Sequence, residues 1–341
     1  MKINVAILGG SGYTALECMQ ILLRHPYVNI AAVTSRQGDK EETPLISDLH
    51  PRLKHRLDLR CQSYDVNLLK KQGVQVAFGC LPHGISMASI PVLLEAGIKV
   101  IDLSADYRLR DPAIYSAWYK HEHTDQSNLA QAVYGLPEIY GTQLRGVNLI
   151  ANPGCYPQTA ILGLAPLVAK QLIELSSIIV DSKSGVSGGG RSPSLTFHFP
   201  ECNESVAAYG VGNHRHTPEI EQVLSDIAGE PVQVVFTPHL IPMDRGILST
   251  IYAAPKGQTS EATLMELYRE FYKTAPFIRV VDKLPATKDT VGTNYLDITL
   301  RVVRGRIIAI ASEDNLIRGA SGVAVQNFNL MFGFPETTAL V

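Results

Sequence analysis

The chain has 341 residues, 45% of them hydrophobic and 18% charged, which is enough apolar material for two cores rather than one. A formal net charge of −2 gives no electrostatic reason to expect nucleic acid or an acidic membrane surface as a partner, and leaves small molecules as the expected ligands. Five cysteines (Cys18, Cys61, Cys80, Cys155, Cys202), odd in number, widely spaced and without a CxxC pair, argue against a disulfide framework and for a reducing compartment.

The run Ile3-Asn4-Val5-Ala6-Ile7-Leu8 reads as a buried strand. It comes too early, and meets glycines too soon, to be a secretory signal or a membrane span, so the expected location is the cytoplasm. Gly9-Gly10-Ser11-Gly12-Tyr13-Thr14-Ala15 follows and opens an amphipathic helix, and a second strand comes at residues 28–33. Gly10, Gly12 and Ala15 satisfy the dinucleotide fingerprint in its alanine-ended form. Residues 10–14 are therefore the expected pyrophosphate cradle. The second strand ends in Thr34-Ser35-Arg36, where an NAD site usually carries Asp or Glu for the ribose hydroxyl. Ser35 and Arg36 suit a 2′-phosphate instead, so the expected cofactor is NADP(H).

Strands at residues 74–78 and 99–103, with a helix at 86–96 between them, continue an alternating β and α pattern, the mark of a doubly wound parallel sheet. The loop at 79–84 falls at a strand's carboxyl end, where His83 is either a cofactor contact or a solvated loop residue. Arg108, near the next strand end, is a candidate anion clamp.

Asn152-Pro153-Gly154-Cys155-Tyr156 lies between an apolar strand and an apolar helix that has Pro157 in its first turn. A thiol there faces backbone N–H groups without intrahelical acceptors, so the thiolate is favoured and Cys155 is the candidate nucleophile. The alternative is a buried structural cysteine.

Beyond residue 177 the pattern changes to an α+β second domain. A strand at 178–182 leads into Lys183-Ser184-Gly185-Val186-Ser187-Gly188-Gly189-Gly190-Arg191, read as a long flexible run whose glycine amides, Gly188 among them, line a charged or flat ligand between Lys183 and Arg191, with a mobile linker as the alternative. Further strands at 232–236, 247–252, 295–300 and 306–310 suggest a mixed or antiparallel sheet. Asn213-His214-Arg215-His216-Thr217-Pro218-Glu219 precedes a helix, with Thr217 as its expected cap and Pro218 at its first position. His214 or His216 is the candidate base, and both being structural loop histidines is the alternative. His198, His214, His216 and Cys202 have no recognised metal-ligand spacing, so no metal is expected.

These blocks resemble the semialdehyde dehydrogenase superfamily, and within it the branch that acts on N-acetyl-glutamyl phosphate in arginine biosynthesis. The likeness runs from Val5 to about Asn329. It rests on the turn from Gly9, on Asp102 to Arg108, Tyr134 to Glu138, Asn152 to Pro157, Lys183 to Arg191, Asn213 to Glu219, Phe236 to Gly246, and Asp314 to Gly322. Gln158 stands where the family usually has threonine, and Val323 where it commonly has glutamine.

The resemblance implies an N-terminal Rossmann-type domain over 1–150, a catalytic α+β domain over 151–313 and a C-terminal segment, 314–341, returning to the first. It also implies a homodimer or homotetramer. In the chemistry it implies, Cys155 forms a thioester by displacing phosphate and NADPH reduces that thioester. His214 moves the protons, Arg108, Lys183 and Arg191 hold the phosphoryl group, and Asn315 bonds the nicotinamide carboxamide. Glu219 either orients the imidazole or faces solvent. An aspartate semialdehyde dehydrogenase, a reductase of a carrier-bound or aminoadipyl acyl phosphate, and a non-catalytic NADP(H)-binding regulator are the rival readings.

Overall fold

The structure, a computed structural model, describes residues 2–39 and 43–341. It divides into two compact units, Met1–Pro153 with Ala320–Val341, and Gly154–Gly319. The chain thus leaves the first unit one residue before the turn that carries Cys155.

In the first unit β1 (Ile3–Leu8), β2 (Val28–Thr34), β3 (Val76–Gly79), β4 (Lys99–Asp102), β5 (Val133–Tyr134) and β6 (Leu149–Ala151) form one sheet in the order β2-β1-β3-β4-β6-β5. Every pairing is parallel. That explains why strands such as β3 are buried at every position, since crossover helices cover both faces of a parallel sheet. The helix α1 (Tyr13–Leu22) buries Ala15, Cys18, Met19, Ile21 and Leu22. A C-terminal helix, Gly322–Phe332, returns to this unit and packs on α1 and β4; it is buried from Gly322 to Met331, and Ser321 Oγ just before it donates to Thr14 O at 2.8 Å.

The second unit is a seven-stranded mixed sheet built from β7 (Ile179–Gly185), β8 (Ala207–Ala208), β9 (Val235–Ile241), β10 (Ile247–Ala253), β11 (Ile278–Val280), β12 (Leu296–Val303) and β13 (Arg306–Glu313). Its order is β11-β12-β13-β10-β7-β9-β8. The helix α2 (Cys155–Ala169) lies on β10 and β13, and α3 (Thr217–Ala228) packs against α2. Gly163 lets α2 come this close: a Cβ there would stand 2.6 Å from Ile251 Cδ1. A hydroxyl chain, Thr159 to Ser249 to Ser182 at 2.7 Å per step, joins α2 to the sheet face beneath it.

Two local expectations change. Residues 183–191 are not one flexible run, because β7 extends to Gly185 and residues 186–189 wind a short turn. Gly185, Val186 and Ser187 N–H donate to Gly246, Met243 and Asp244 carbonyls, so long-range pairing overrides the glycine content. The cap of α3 is His216 rather than Thr217, whose N–H already donates to His214 O at 2.9 Å.

Candidate active site

The turn after β1 is built for close backbone approach. Gly9 has φ +77°, and a Cβ on it would lie 2.4 Å from Cys80 O; a Cβ on Gly10 would lie 2.3 Å from Val33 Cγ1. Gly9, outside the fingerprint positions Gly10, Gly12 and Ala15, starts the turn through its positive φ. Gly10 N–H is tied to Thr34 O at 2.8 Å and Gly12 N–H to Gly9 O at 3.3 Å. Gly12 caps α1 with no side-chain hydrogen bond and no acidic residue follows in the first turn, so nothing at the helix start opposes an anionic group. Ser11 and Tyr13 are exposed beside it, and Thr14 is half-buried. At the end of β2, Ser35 is buried, its N–H on Gln62 O, and Arg36 is exposed.

Arg108 is placed differently from an open anion clamp. It is buried, with Nε donating to Asn152 O at 2.7 Å and an Nη to Leu103 O at 2.9 Å. Its guanidinium therefore grips the backbone that leads out of the sheet toward Cys155. Asn152 is held from its side chain as well, its amide donating to Ala320 O and accepting from Asn327 Nδ2, both at 3.0 Å.

Cys155 is the first residue of α2, after an extended Gly154 (φ −71°, ψ 158°) with no side-chain cap. The Gly154 N–H is taken by Glu219 Oε1 at 2.7 Å. Glu219 is 1% exposed, in the first turn of α3, so the solvent-facing reading fails and the carboxylate fixes the turn that presents the thiol. Gly319 makes room for that thiol. A Cβ at 319 would come 2.8 Å from Cys155 Cβ and 2.9 Å from Glu313 Oε1. Sequence spacing offers no signal for Glu219 reaching Gly154 or for Gly319 reaching Cys155.

Tyr156 OH and Tyr209 OH meet at 2.9 Å. Burial, with the neighbouring tyrosine and then Cys155 adding to it, holds the Tyr156 phenol far above its ordinary range. Burial likewise pushes Tyr209 up to about 12. Both phenols thus remain protonated donors near neutral pH. His214 packs edge-on against Phe236, Tyr209 and Tyr156 at ring-centroid distances of 5.2, 5.4 and 5.6 Å, and against His216 at 4.9 Å. Its Nδ1 accepts the His216 N–H at 3.1 Å, so the neutral ring carries its proton on Nε2. Burial first, and the Arg215 charge second, lower its pKa to about 4. At neutral pH His214 is therefore a hydrogen-bond donor.

Ser182 joins the hydroxyl chain under α2, so Lys183, one residue on, projects from the opposite face of the sheet; its Nζ pairs with Asp181 Oδ1 at 2.9 Å. Strand parity thus separates it from Cys155. Asn315 is 2% exposed, accepts from Gly246 N–H at 2.8 Å and donates to Ser187 Oγ at 3.0 Å, so its amide ties two loops together. Gly188 and Arg191 are exposed on the glycine turn. Among the described residues no group of three or more His, Cys, Asp or Glu side chains converges to hold a metal, and no helix is long and apolar enough to cross a membrane.

Known proteins match this arrangement over its whole length. The semialdehyde dehydrogenase NAD binding domain matches residues 4–147, and the semialdehyde dehydrogenase dimerisation domain matches residues 155–315. The N-acetyl-gamma-glutamyl-phosphate reductase of Rhodopirellula baltica is 48% identical over 100% of this chain and 99% of its own. That of Desulforudis audaxviator is 50% identical over 99% of this chain and 98% of its own. Aspartate semialdehyde dehydrogenase II of Vibrio cholerae, solved as a complex with ASA, shares the fold with a TM-score of 0.72 across 97% of this chain and 98% of that one, at 17% identity. The chain belongs to the N-acetyl-gamma-glutamyl-phosphate reductase family of the semialdehyde dehydrogenases.

Proposed function

We propose that this protein uses NADPH to reduce N-acetyl-glutamyl phosphate to N-acetyl-glutamate semialdehyde and inorganic phosphate, a step of arginine biosynthesis in the cytoplasm. The observation that carries the reading is Cys155 at the first position of a 15-residue helix, its turn held by the buried Glu219. A thiol so placed is a nucleophile for acyl transfer.

Cys155 Sγ attacks the acyl carbon, the carbon–oxygen bond to phosphate breaks, and a thioester remains on Cys155. NADPH, held at residues 10–14 and by Ser35 and Arg36, would supply the hydride that the thioester carbon accepts. The resulting hemithioacetal then collapses, releasing the aldehyde and returning the thiolate. With Nδ1 engaged and Nε2 protonated, His214 donates to the developing oxyanion. His216, the other imidazole edge-on to Tyr156, at 6.0 Å, is our choice to take the thiol proton. Glu219 and Arg108 position the turn.

Backbone at Gly10, Ser11, Gly12, Tyr13 and Thr14 cradles the pyrophosphate, Ser35 and Arg36 take the 2′-phosphate, and Gly188 contacts the flat ring. Arg191, exposed on the glycine turn, is our choice for the leaving phosphate. The second unit pairs copies of the chain into a homodimer or homotetramer.

The test is the reaction run backwards: phosphate-dependent reduction of NADP⁺ by the purified protein with N-acetyl-glutamate semialdehyde, set against aspartate semialdehyde. Turnover selective for the acetylated aldehyde and abolished in Cys155→Ala is the expected result. Equal turnover of aspartate semialdehyde would overturn the substrate while keeping the thioester chemistry. No turnover of either, with NADPH still bound, would overturn both.

A further inference from the structure

The first turn of α2 carries one more polar side chain, Gln158. It is 0% exposed, and neither its Oε1 nor its Nε2 has a hydrogen-bond partner among the described residues. The hydroxyl chain that begins one residue on, at Thr159, runs to Ser249 and Ser182 and does not take in this amide. Buried amides are nearly always satisfied, because leaving a donor and an acceptor dry costs stability. An amide kept this way calls for a partner that the resting site does not supply.

Its place on the helix points to that partner. Residues three apart on a helix are neighbours, with about 5–6 Å between Cβ atoms, and long side chains lean back over the preceding turn. Gln158 therefore overlies Cys155. At about 100° per residue, Tyr156 stands on one side of Cys155 and Gln158 about 60° round on the other. The Tyr156 flank holds the titratable rings, with Tyr209 on its hydroxyl at 2.9 Å and His214 and His216 edge-on to it. From α3, Glu219 reaches Gly154 N–H. Glu313, at the end of β13, has Oε1 2.9 Å from the point where a Cβ on Gly319 would lie 2.8 Å from Cys155 Cβ, and the buried Arg318 precedes Gly319. Carboxylates this near oppose a sulfur anion, and an uncharged donor on the sulfur offsets them.

We propose that Gln158 is a catalytic residue: its Nε2–H donates to Cys155 Sγ whenever the sulfur is anionic, before the attack and again when the hemithioacetal collapses. A thiol is a weak acceptor and a thiolate a strong one, so the amide turns to the sulfur only when charge appears there. No bond to Gln158 forms or breaks, and the thiol proton still goes to His216. Threonine, usual at this position in the family, has a shorter arm whose hydroxyl bonds the carbonyl four residues back, so the contact belongs to this chain. The inference rests on Cys155 as nucleophile and is independent of which acyl phosphate it attacks.

The experiment is the pH dependence of Cys155 alkylation by iodoacetamide, followed by mass spectrometry of the peptide that contains it. Unmodified protein, Gln158→Met and Gln158→Thr are compared, with thermal midpoint, NADPH affinity, kcat and KM measured on the same samples. The alkylation midpoint is expected to rise by about one pH unit in both variants. At neutral pH kcat should fall roughly tenfold, with KM and NADPH affinity unchanged. Gln158→Met, which takes a dry amide out of the core, should also raise the thermal midpoint. Folded variants with unchanged alkylation midpoints overturn the proposal. A lowered thermal midpoint in Gln158→Met with unchanged alkylation assigns the amide to a buried water and overturns it equally. Should Gln158→Met not fold, Gln158→Thr decides alone. Should the unmodified protein not turn over N-acetyl-glutamate semialdehyde, the substrate reading fails, and the alkylation midpoints still decide the role of Gln158.

Discussion

The two units handle their chemistry with different parts of the chain. The first presents backbone at its glycine turn: Gly9 and Gly10 clear space, and the start of α1 has no side-chain cap. Elsewhere in this unit Arg108 is engaged by the carbonyls of Asn152 and Leu103. The second unit presents side chains, Cys155, His214, Glu219 and two tyrosines, gathered from α2, α3 and the segment before α3. A backbone turn of this kind is broken by an added methyl group. A side-chain site is broken by loss of the side chain that carries it.

The sharpest test of that contrast is Cys155→Ala, which should lower turnover by about 10⁴-fold or more while NADPH affinity, read by fluorescence titration, stays unchanged. Loss of NADPH binding as well would mean that the two functions are not divided between the units. Glu219→Ala should come next. Removing the acceptor of a buried N–H costs about 1–3 kcal/mol of stability and should lower kcat by roughly 100-fold, whereas Glu219→Gln, which keeps an acceptor oxygen, should recover most of the thermal midpoint. Equal losses in both variants would show that charge, not the hydrogen bond, is what the turn requires.

In the first unit, Arg36→Ala should weaken NADPH roughly tenfold and leave NADH unaffected, as measured by competing titrations. An equal loss for both cofactors would remove Arg36 from the 2′-phosphate.

The smallest effect concerns acid stability. His214 has its pKa lowered from 6.5 to about 4, so between those values the unfolded chain binds a proton that the folded one does not. Its contribution is therefore absent above pH 6.5 and becomes destabilising as the pH falls toward 4. The urea midpoint of His214→Asn should fall less steeply across that window than that of the unsubstituted protein. Parallel slopes would show that the ring is not held neutral.

Much of this was legible from local chemistry. A glycine turn between an apolar strand and an amphipathic helix can hardly be anything but a tight βα connection, and Gly154 before Cys155 and Pro157 marks a helix start whatever lies around it. The alternating pattern announced a parallel sheet for the same reason, because both faces of its strands must be apolar. Three other features were decided by partners distant in sequence. Glu219 finds Gly154 across 65 residues, Asn315 finds Ser187 across 128, and Lys183 falls on the far side of the sheet because the pairing of β7 extended past the point where its glycines suggested a loop.

The sequence by itself determined where backbone turns and helix starts must be, since glycine, proline and apolar periodicity act on neighbours within a turn or two. Only the tertiary structure decided which charged and amide side chains are available to a ligand. That depends on which carbonyls and N–H groups packing leaves them to satisfy, and burial makes leaving such groups unpaired costlier than giving up a reactive side chain.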